Sequence, residues 1–513
     1  MIFSPKLKIF FLPRHEKCVS LHRKMERFLT KYRVPAVVTI LVLFGTALAL
    51  ESIGNHLLYR TYGLDLGIFA QTTYDFAHLN INDGTFYHWE PFNQLGDHFD
   101  LLLALFSPLS WLFRADWLLL VIQILAVLLG AWGLYRLTRD LCHHELPSLL
   151  AMIFMLLQFG VWHAIGFDYH SNVVAACQLP WLILFVRKEK LGPATTVLVL
   201  MALAKETVAL WLCFVLAALL FDFWRNRRTR CWLLVSTGSC MAYFAAVTLL
   251  VMPALGGGAS TGFWRYEWMG ASMGEVAQWV VNHPIEVMRD FFIDFTADAD
   301  RGALKTEFFI CALASGMLLT FLKPNYLLML AAPLTMKMLS AYGEGFWGVA
   351  NHYNIEICIV ICTASTLVLS RIKAVRWQTA AFAAAVLLAL STTLYTVDHP
   401  RTPIRRDNVN ILQSGHYRQP EFDIRTVRKA LKMIPSDASV CAATPFSPHI
   451  ACRDSAYIFP IGLGYNAEYY LILPDHWSYW EQEADMAQEI IADTLKYRIL
   501  LTDSTVYLLK QRN

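Results

Sequence analysis

Charge is what this chain has least of. Asp, Glu, Lys and Arg together make up 16% of its 513 residues, against 56% hydrophobic, and the mean hydropathy is +0.42. That balance excludes an ordinary soluble globular protein, in which about a quarter of residues are charged. A nucleotide fingerprint is missing too: no G-x-G-x-x-G follows a strand-like run, and Gly256-Gly257-Gly258 reads as a flexible loop end. No internal repeat or low-complexity tract is present. Neither C-x-x-C nor a His/Cys metal spacing occurs in the polar C-terminal tail, where Cys441 and Cys452 are the only two of 11 cysteines. The rest lie in or beside apolar runs or in the basic N-terminal region and read as small hydrophobes. In an oxidising compartment Cys441 and Cys452 could pair.

What the chain has in quantity is long apolar runs. A hydrocarbon core of ~30 Å takes about 20 apolar residues per helix. Suitable runs, or nearly so, occupy 34–50, 117–135, 146–164, 172–186, 231–252, 305–322, 324–341, 354–370 and 377–396. The stretch 192–223 is too long for one crossing and short for two. The net charge of +3 is uninformative, because the signs are segregated along the chain. Lys6, Lys8, Arg14, Lys17, Arg23, Lys24, Arg27, Lys31 and Arg33 crowd the N-terminus, which the positive-inside rule places in the cytoplasm. Later basic clusters sit at Arg136/Arg139, Arg187/Lys188/Lys190, Arg225–Arg230, Lys323 and Arg371–Arg376, with acid-rich segments 51–100 and 253–304 between them. Clusters near 188 and near 227 on one side require 192–223 to cross twice, turning near Ala204–Thr207. The expectation is an α-helical polytopic membrane protein of about eleven transmembrane helices. A basic start followed by Ala47-Leu48-Ala49 also resembles a signal peptide, although the basic region is long for one.

After Thr396 the character changes. An amphipathic segment 422–434, strand-like runs at 439–443, 455–459, 468–473, 497–502 and 505–510, and a helix over 481–495 predict a small C-terminal α/β extracytoplasmic domain. The implied division is a basic cytoplasmic segment 1–33, a transmembrane domain 34–396 with large outer loops 51–100 and 253–304, and an extracytoplasmic domain 397–513.

Charged groups beside apolar spans are costly and usually functional or paired. Several clusters fall on the predicted outer side. The first loop holds Asp65, Gln71, Asp75, Asp97 and His98. Asp168 and His170 lie in F-D-Y-H-S-N, Lys205-Glu206 at the turn of 192–223, and Arg265 in F-W-R-Y-E-W. Tyr342-Gly343-Glu344 leads to Asn351-His352-Tyr353. Carboxylates with histidine neighbours, here Asp65, Asp97 and His98, suit Mg²⁺ or Mn²⁺ held together with substrate phosphate oxygens. A carboxylate can also take a proton from an attacking hydroxyl, which makes Asp65, Asp168 and His98 the catalytic candidates. Lys205 and Arg265 could neutralise a lipid-linked phosphate, with Gln71, His170 and His352 as further substrate contacts. Each has a bland alternative. Asp75, Asp83 and Asp100 read as solvated loop acids, Asp97 or Asp168 as a helix N-cap, Lys205-Glu206 as a structural ion pair, and His56, His78 and His88 as interfacial.

The segments D-L-G-I-F-A-Q after Tyr62-Gly63-Leu64, NQLGDHFDLLLALFSPL, FDYHSN, LAKETVAL, FWRYEWMG, HYNIEI and IPSDASVCAATPFSPHIACRDSAYIFP resemble a family of bacterial and archaeal polytopic membrane proteins grouped as a domain of unknown function. The likeness runs over nearly the whole chain after about residue 35. That family in turn resembles the type C glycosyltransferases (GT-C), in which a first-loop acid serves catalysis and the donor is a polyprenyl-phosphate sugar. The resemblance implies that Asp65 is the first-loop acid, Asp168 a candidate second-loop acid, and the bacterial inner membrane the location. This chain departs from the commonest pattern, since Leu66 follows Asp65 where an adjacent acid pair is often found. The expected function is transfer of a polyprenyl-phosphate-linked sugar to an acceptor on the periplasmic face, with membrane lipid as partner and no nucleic acid. The alternatives are a transporter or flippase of a lipid-linked saccharide, and a non-catalytic membrane scaffold.

Overall fold

The computed structural model describes residues 25–81, 84–86, 90, 92–256, 263–295, 303–399, 401, 406–474 and 482–512. Most of the N-terminal basic cluster, together with Asp83, His88 and Gly257-Gly258, lies outside them. Among the described residues, six helices are long and apolar enough to cross a membrane: Arg33–Leu57, Ala115–Cys142, Glu206–Phe223, Arg227–Leu255, His352–Leu369 and Val375–Asp398. A seventh span results if Glu145–Leu156 and Phe159–Ile165, bent by 47°, count as one. The other apolar runs form shorter or interrupted helices. Ser171–Arg187 and Leu191–Ala202 are short, and Leu304–Thr320 is broken where Gly316 takes φ +115°. The apolar window of His352–Leu369 is 83% buried and that of Arg33–Leu57 only 22%. The former is therefore the axis of the bundle, and the latter turns Val34, Val38, Val42 and Leu43 outward, as lipid-facing residues do.

The long run 192–223 is interrupted near Lys205, and of its two pieces only Glu206–Phe223 is long enough to be a span. One helix ends at Ala202, and Lys205 is fully extended (φ −168°, ψ 148°) before the next begins at Glu206. The break frees the carbonyl of Leu203, which accepts from the backbone N–H groups of Leu101 (2.9 Å) and Leu102 (3.3 Å). The first loop is thereby pinned to the middle of the interrupted helix pair.

The C-terminal chain forms a five-stranded sheet of β1 (Val440–Ala442), β2 (Ala456–Ile458), β3 (Tyr469–Ile472), β4 (Tyr497–Thr502) and β5 (Tyr507–Gln511), in the order β2-β1-β3-β5-β4. β1 runs parallel to β2 and β3, and β5 antiparallel to β3 and β4. Strand alternation sends Val440, Leu471 and Leu508 into one apolar cluster and Cys441, Tyr470 and Leu509 into another. The first cluster also contains Tyr59, Ala70, Phe86 and Ala115. The sheet unit is therefore built onto the first loop rather than tethered beside it. Arg60 reinforces the seam by donating to the carbonyls of Asp407, Gly415, His416 and Arg418 at 2.6–3.2 Å. Cys441 and Cys452 are free thiols packed against different clusters, so the envisaged disulfide is not formed.

Candidate active site

Asp65 occupies a π-helical turn, Gly63–Gly67, which leads into the helix Ile68–Ala77. Such bulges need outside partners because their own ladder is irregular. Here the Gly63 N–H donates to Thr444 Oγ1 (3.1 Å) and the Tyr62 N–H to Asp168 Oδ2 (2.9 Å). Gly63 also packs closely against the sheet. A Cβ at this position would lie 2.5 Å from Ile458 Cδ1. The turn is therefore held from the C-terminal sheet on one side and from the bundle on the other.

Asp65 Oδ1 is 3.2 Å from His170 Nε2, and the aspartate side chain keeps 22% exposure while the histidine keeps 7%. His170 stacks on His352 at 3.4 Å between ring centroids, with planes 18° apart. Two strained residues set this pair: Asp168 at φ +79° and Asn351 at φ +64°, each in the left-handed region that side chains with a Cβ enter at a penalty. Gln123 fixes the second loop, donating from Nε2 to the Asp168 carbonyl (2.8 Å) and accepting from the His170 N–H (2.7 Å). Burial, with the nearby charge of Asp65, holds the Asp168 carboxyl well above the ordinary range. Burial likewise lowers His170, against the pull of Asp65. Near neutrality the His170 imidazole is thus neutral, while Asp168 holds its proton more tightly than an ordinary carboxyl.

A ladder of rings runs from this pair to Arg265. His352 meets Tyr353 at 4.0 Å, Tyr353 stacks on Phe346 at 3.9 Å, and the Arg265 guanidinium lies 4.9 Å from Phe346 and 5.1 Å from Trp264. Buried polar atoms normally have partners. Among the described residues, Arg265 Nε and the Nδ1 atoms of His170 and His352 have none.

The second half of the site is centred on His98. Lys205 Nζ is 3.1 Å from His98 Nε2, and Glu206 Oε1 is 3.7 Å from Nδ1. Glu206 Oε2 accepts from the Phe99 N–H (3.1 Å). Lys205-Glu206 is therefore not a simple ion pair with itself; it brackets a first-loop imidazole. Lys205 and His98 both act electrostatically on His170 and His352, which joins the two halves. Beneath them Asp100, 3% exposed, accepts from Ser171 and caps Leu101–Phe106 through the Leu102 N–H. Burial pushes its carboxyl up to about 7.

Asp65, Asp168, His170, His352, Arg265, Lys205 and His98 are thus gathered from five separate segments. Several expectations need correction. Gln71 is not among these residues. Its amide bonds Thr85 on both sides and the Ala456 carbonyl (3.2 Å), so it joins the loop to the sheet. Asp97 accepts from the Gln94 amide and lies 4.0 Å from His98. The cap that follows is made by Asp100, not Asp97. Asp168 caps no helix; its carboxylate reaches the first loop. Asp65, Asp97 and His98 do not form a three-ligand group, and an ammonium already faces His98 Nε2. Asp75 and Asp100 are buried rather than solvated, and His56 is buried rather than interfacial. Sequence reasoning missed Gln123, and also Glu356, which accepts from Asn172 Nδ2 at 2.7 Å. Both are polar residues inside apolar runs, a signal that was available.

A family model described as "Predicted membrane protein (DUF2079)" matches residues 56–499. No curated protein matches. Among solved structures, the chain is similar to the oligosaccharyltransferase of Archaeoglobus fulgidus in its apo form, at 12% identity and a TM-score of 0.40, covering 85% of this chain and 69% of that one. It is similar to the same archaeal enzyme, AglB, in complex with an inhibitory peptide and a dolichol-phosphate, at 12% identity and a TM-score of 0.40, covering 87% and 70%.

Proposed function

The chain belongs to the DUF2079 family of predicted membrane proteins, and we propose that it transfers a sugar from a polyprenyl-phosphate carrier to an acceptor at the outer face of the membrane. The observation that carries this reading is the Asp65–His170 contact, set in a cluster that also holds the cations Lys205 and Arg265. In the proposed reaction the acceptor hydroxyl attacks the anomeric carbon, and the bond from that carbon to the phosphate oxygen breaks. Asp65, partly exposed, takes the hydroxyl proton. His170 orients the carboxylate and, being neutral, can share that proton. The carrier leaves as a phosphate whose developing charge falls to Arg265, a planar fork with an unsatisfied Nε, and to Lys205, a point charge.

A hard divalent cation such as Mg²⁺ or Mn²⁺ would be held by Asp65 together with substrate phosphate oxygens, since Asp65, Asp168 and His170 do not gather three ligand atoms around one point. Bound there, it would neutralise charge on the phosphate. The test is Asp65→Asn in reconstituted membranes supplied with radiolabelled polyprenyl-phosphate sugar. Transfer is expected to vanish while expression and membrane insertion persist. Full transfer by Asp65→Asn removes the base from the mechanism. Movement of labelled lipid-linked saccharide across proteoliposomes, with no new glycosidic bond, would make the protein a transporter instead.

A further inference from the structure

Away from this cluster, a second group of polar side chains converges where the sheet unit meets the bundle. His56 lies in the last turn of Arg33–Leu57, Asp116 in the first turn of Ala115–Cys142, and His449 in the short helix Ser447–Ile450 that follows β1. A nitrogen of each histidine and a carboxylate oxygen all lie within 4.8 Å of one another. His56 and Asp116 are fully buried. We propose that His56, Asp116 and His449 form a site for a zinc-class divalent transition ion that fastens the C-terminal sheet unit to the helical bundle.

Four observations support it. First, His56 Nε2 is 3.2 Å from Asp116 Oδ2. Ligand atoms around one ion stand at about this separation. Second, His449 Nε2 is buried with no partner among the described residues. Third, the outer contacts are those that orient ligands. His56 Nδ1 is 2.9 Å from Thr61 Oγ1, a hydroxyl that can accept from Nδ1–H in the tautomer whose Nε2 lone pair is free for an ion. The Arg114 guanidinium forks onto Asp116 at 2.9 and 3.2 Å and donates to the His449 carbonyl at 2.7 Å. Fourth, rings wall the group. The two imidazoles stack at 4.2 Å, Tyr59 lies 4.3 Å from His449, and Trp117 stands edge-on to His56 at 5.1 Å. A two-imidazole, one-carboxylate set suits Zn²⁺ or Co²⁺ and leaves a fourth position for water, whereas Mg²⁺ and Ca²⁺ prefer oxygen donors. The fork of Arg114 lowers the affinity of Asp116 for a cation but occupies only part of the lone-pair capacity of its two oxygens.

The test uses the full chain in detergent, stripped with chelator and titrated with Co²⁺ alone. The expected result is stoichiometric uptake with the visible absorption of a tetrahedral nitrogen–oxygen site, and a melting temperature that rises on addition of Zn²⁺. Asp116→Asn and His449→Asn should lose the absorption, while Asp65→Asn keeps it, which separates this ion from any bound at the proposed active site. Stripped wild-type protein that takes up no Co²⁺ and melts alike with and without Zn²⁺ overturns the proposal, with no variant required. So does a His449→Asn protein that binds Co²⁺ as tightly as the wild type.

Discussion

Replacing Asp100 with Asn should stabilise the protein, and should do so only above acid pH. Asp100 is buried and accepts from Ser171 and Leu102, and burial pushes its carboxyl up from 3.8 to about 7. A raised folded-state value means the native state prefers the protonated carboxyl. The stability associated with that proton is therefore complete below about pH 4, declines as pH rises, and is gone above about pH 7. Roughly three units at 1.36 kcal/mol each set the loss at about 4 kcal/mol. Asparagine mimics the protonated acid. Its carbonyl can still accept from Leu102 and its amide can donate to the Ser171 hydroxyl, but it has nothing to ionise. For a chain of 513 residues, an unfolding entropy of about 2.1 cal/mol/K per residue converts that loss into ~4 °C. Thermal melts of wild type and Asp100→Asn in the same detergent, from pH 5 to 8, give the comparison. The variant should melt higher at pH 8, with the gap closing toward pH 5. A gap that is absent at pH 8, or that does not shrink on acidification, refutes the reasoning.

Three further outcomes follow from the geometry. Arg60→Ala removes a donor shared by four carbonyls of 407–418; a loss of about 2–4 kcal/mol is expected, read as faster limited proteolysis within that segment. Gly63→Val places side-chain atoms against Ile458, where even a Cβ would be 2.5 Å from Cδ1; overpacking of about 1–3 kcal/mol is expected, and Ile458→Ala in the same chain should restore part of the melting temperature. Because burial lowers His170 below the usual histidine range, sugar transfer should be flat between pH 7 and 8 and fall only at clearly acid pH. A decline centred near 6.5 would show an unburied imidazole.

How much of this was legible beforehand depends on the distance over which each feature is decided. The strand pattern after residue 438 and a break near Lys205 are local, and each appears in the structure close to where periodicity and charge placed it, whereas of about eleven expected spans six helices, or seven with the bent pair, are long and apolar enough among the described residues. Asp65 and His170 could be singled out as polar residues beside apolar runs, because burying charge is expensive wherever it happens. Their contact could not, since about a hundred positions separate them and nothing local encodes which turn meets which. Gln71 shows the converse: it lies in the same short motif as Asp65, yet helix geometry turns its amide toward Ala456.

The chain's composition and the order of its apolar and charged segments were sufficient to make it a membrane helix bundle carrying a small C-terminal sheet, because transfer free energy and backbone hydrogen bonding act residue by residue. Tertiary packing alone decided that the sheet would dock on the first loop, that His98 would stand between Lys205 and Glu206, and that His56, Asp116 and His449 would converge. Those meetings depend on helix breaks at Gln158 and Lys205 and on left-handed residues at Asp168 and Asn351. The strain at such points is tolerated only when the finished structure holds it in place.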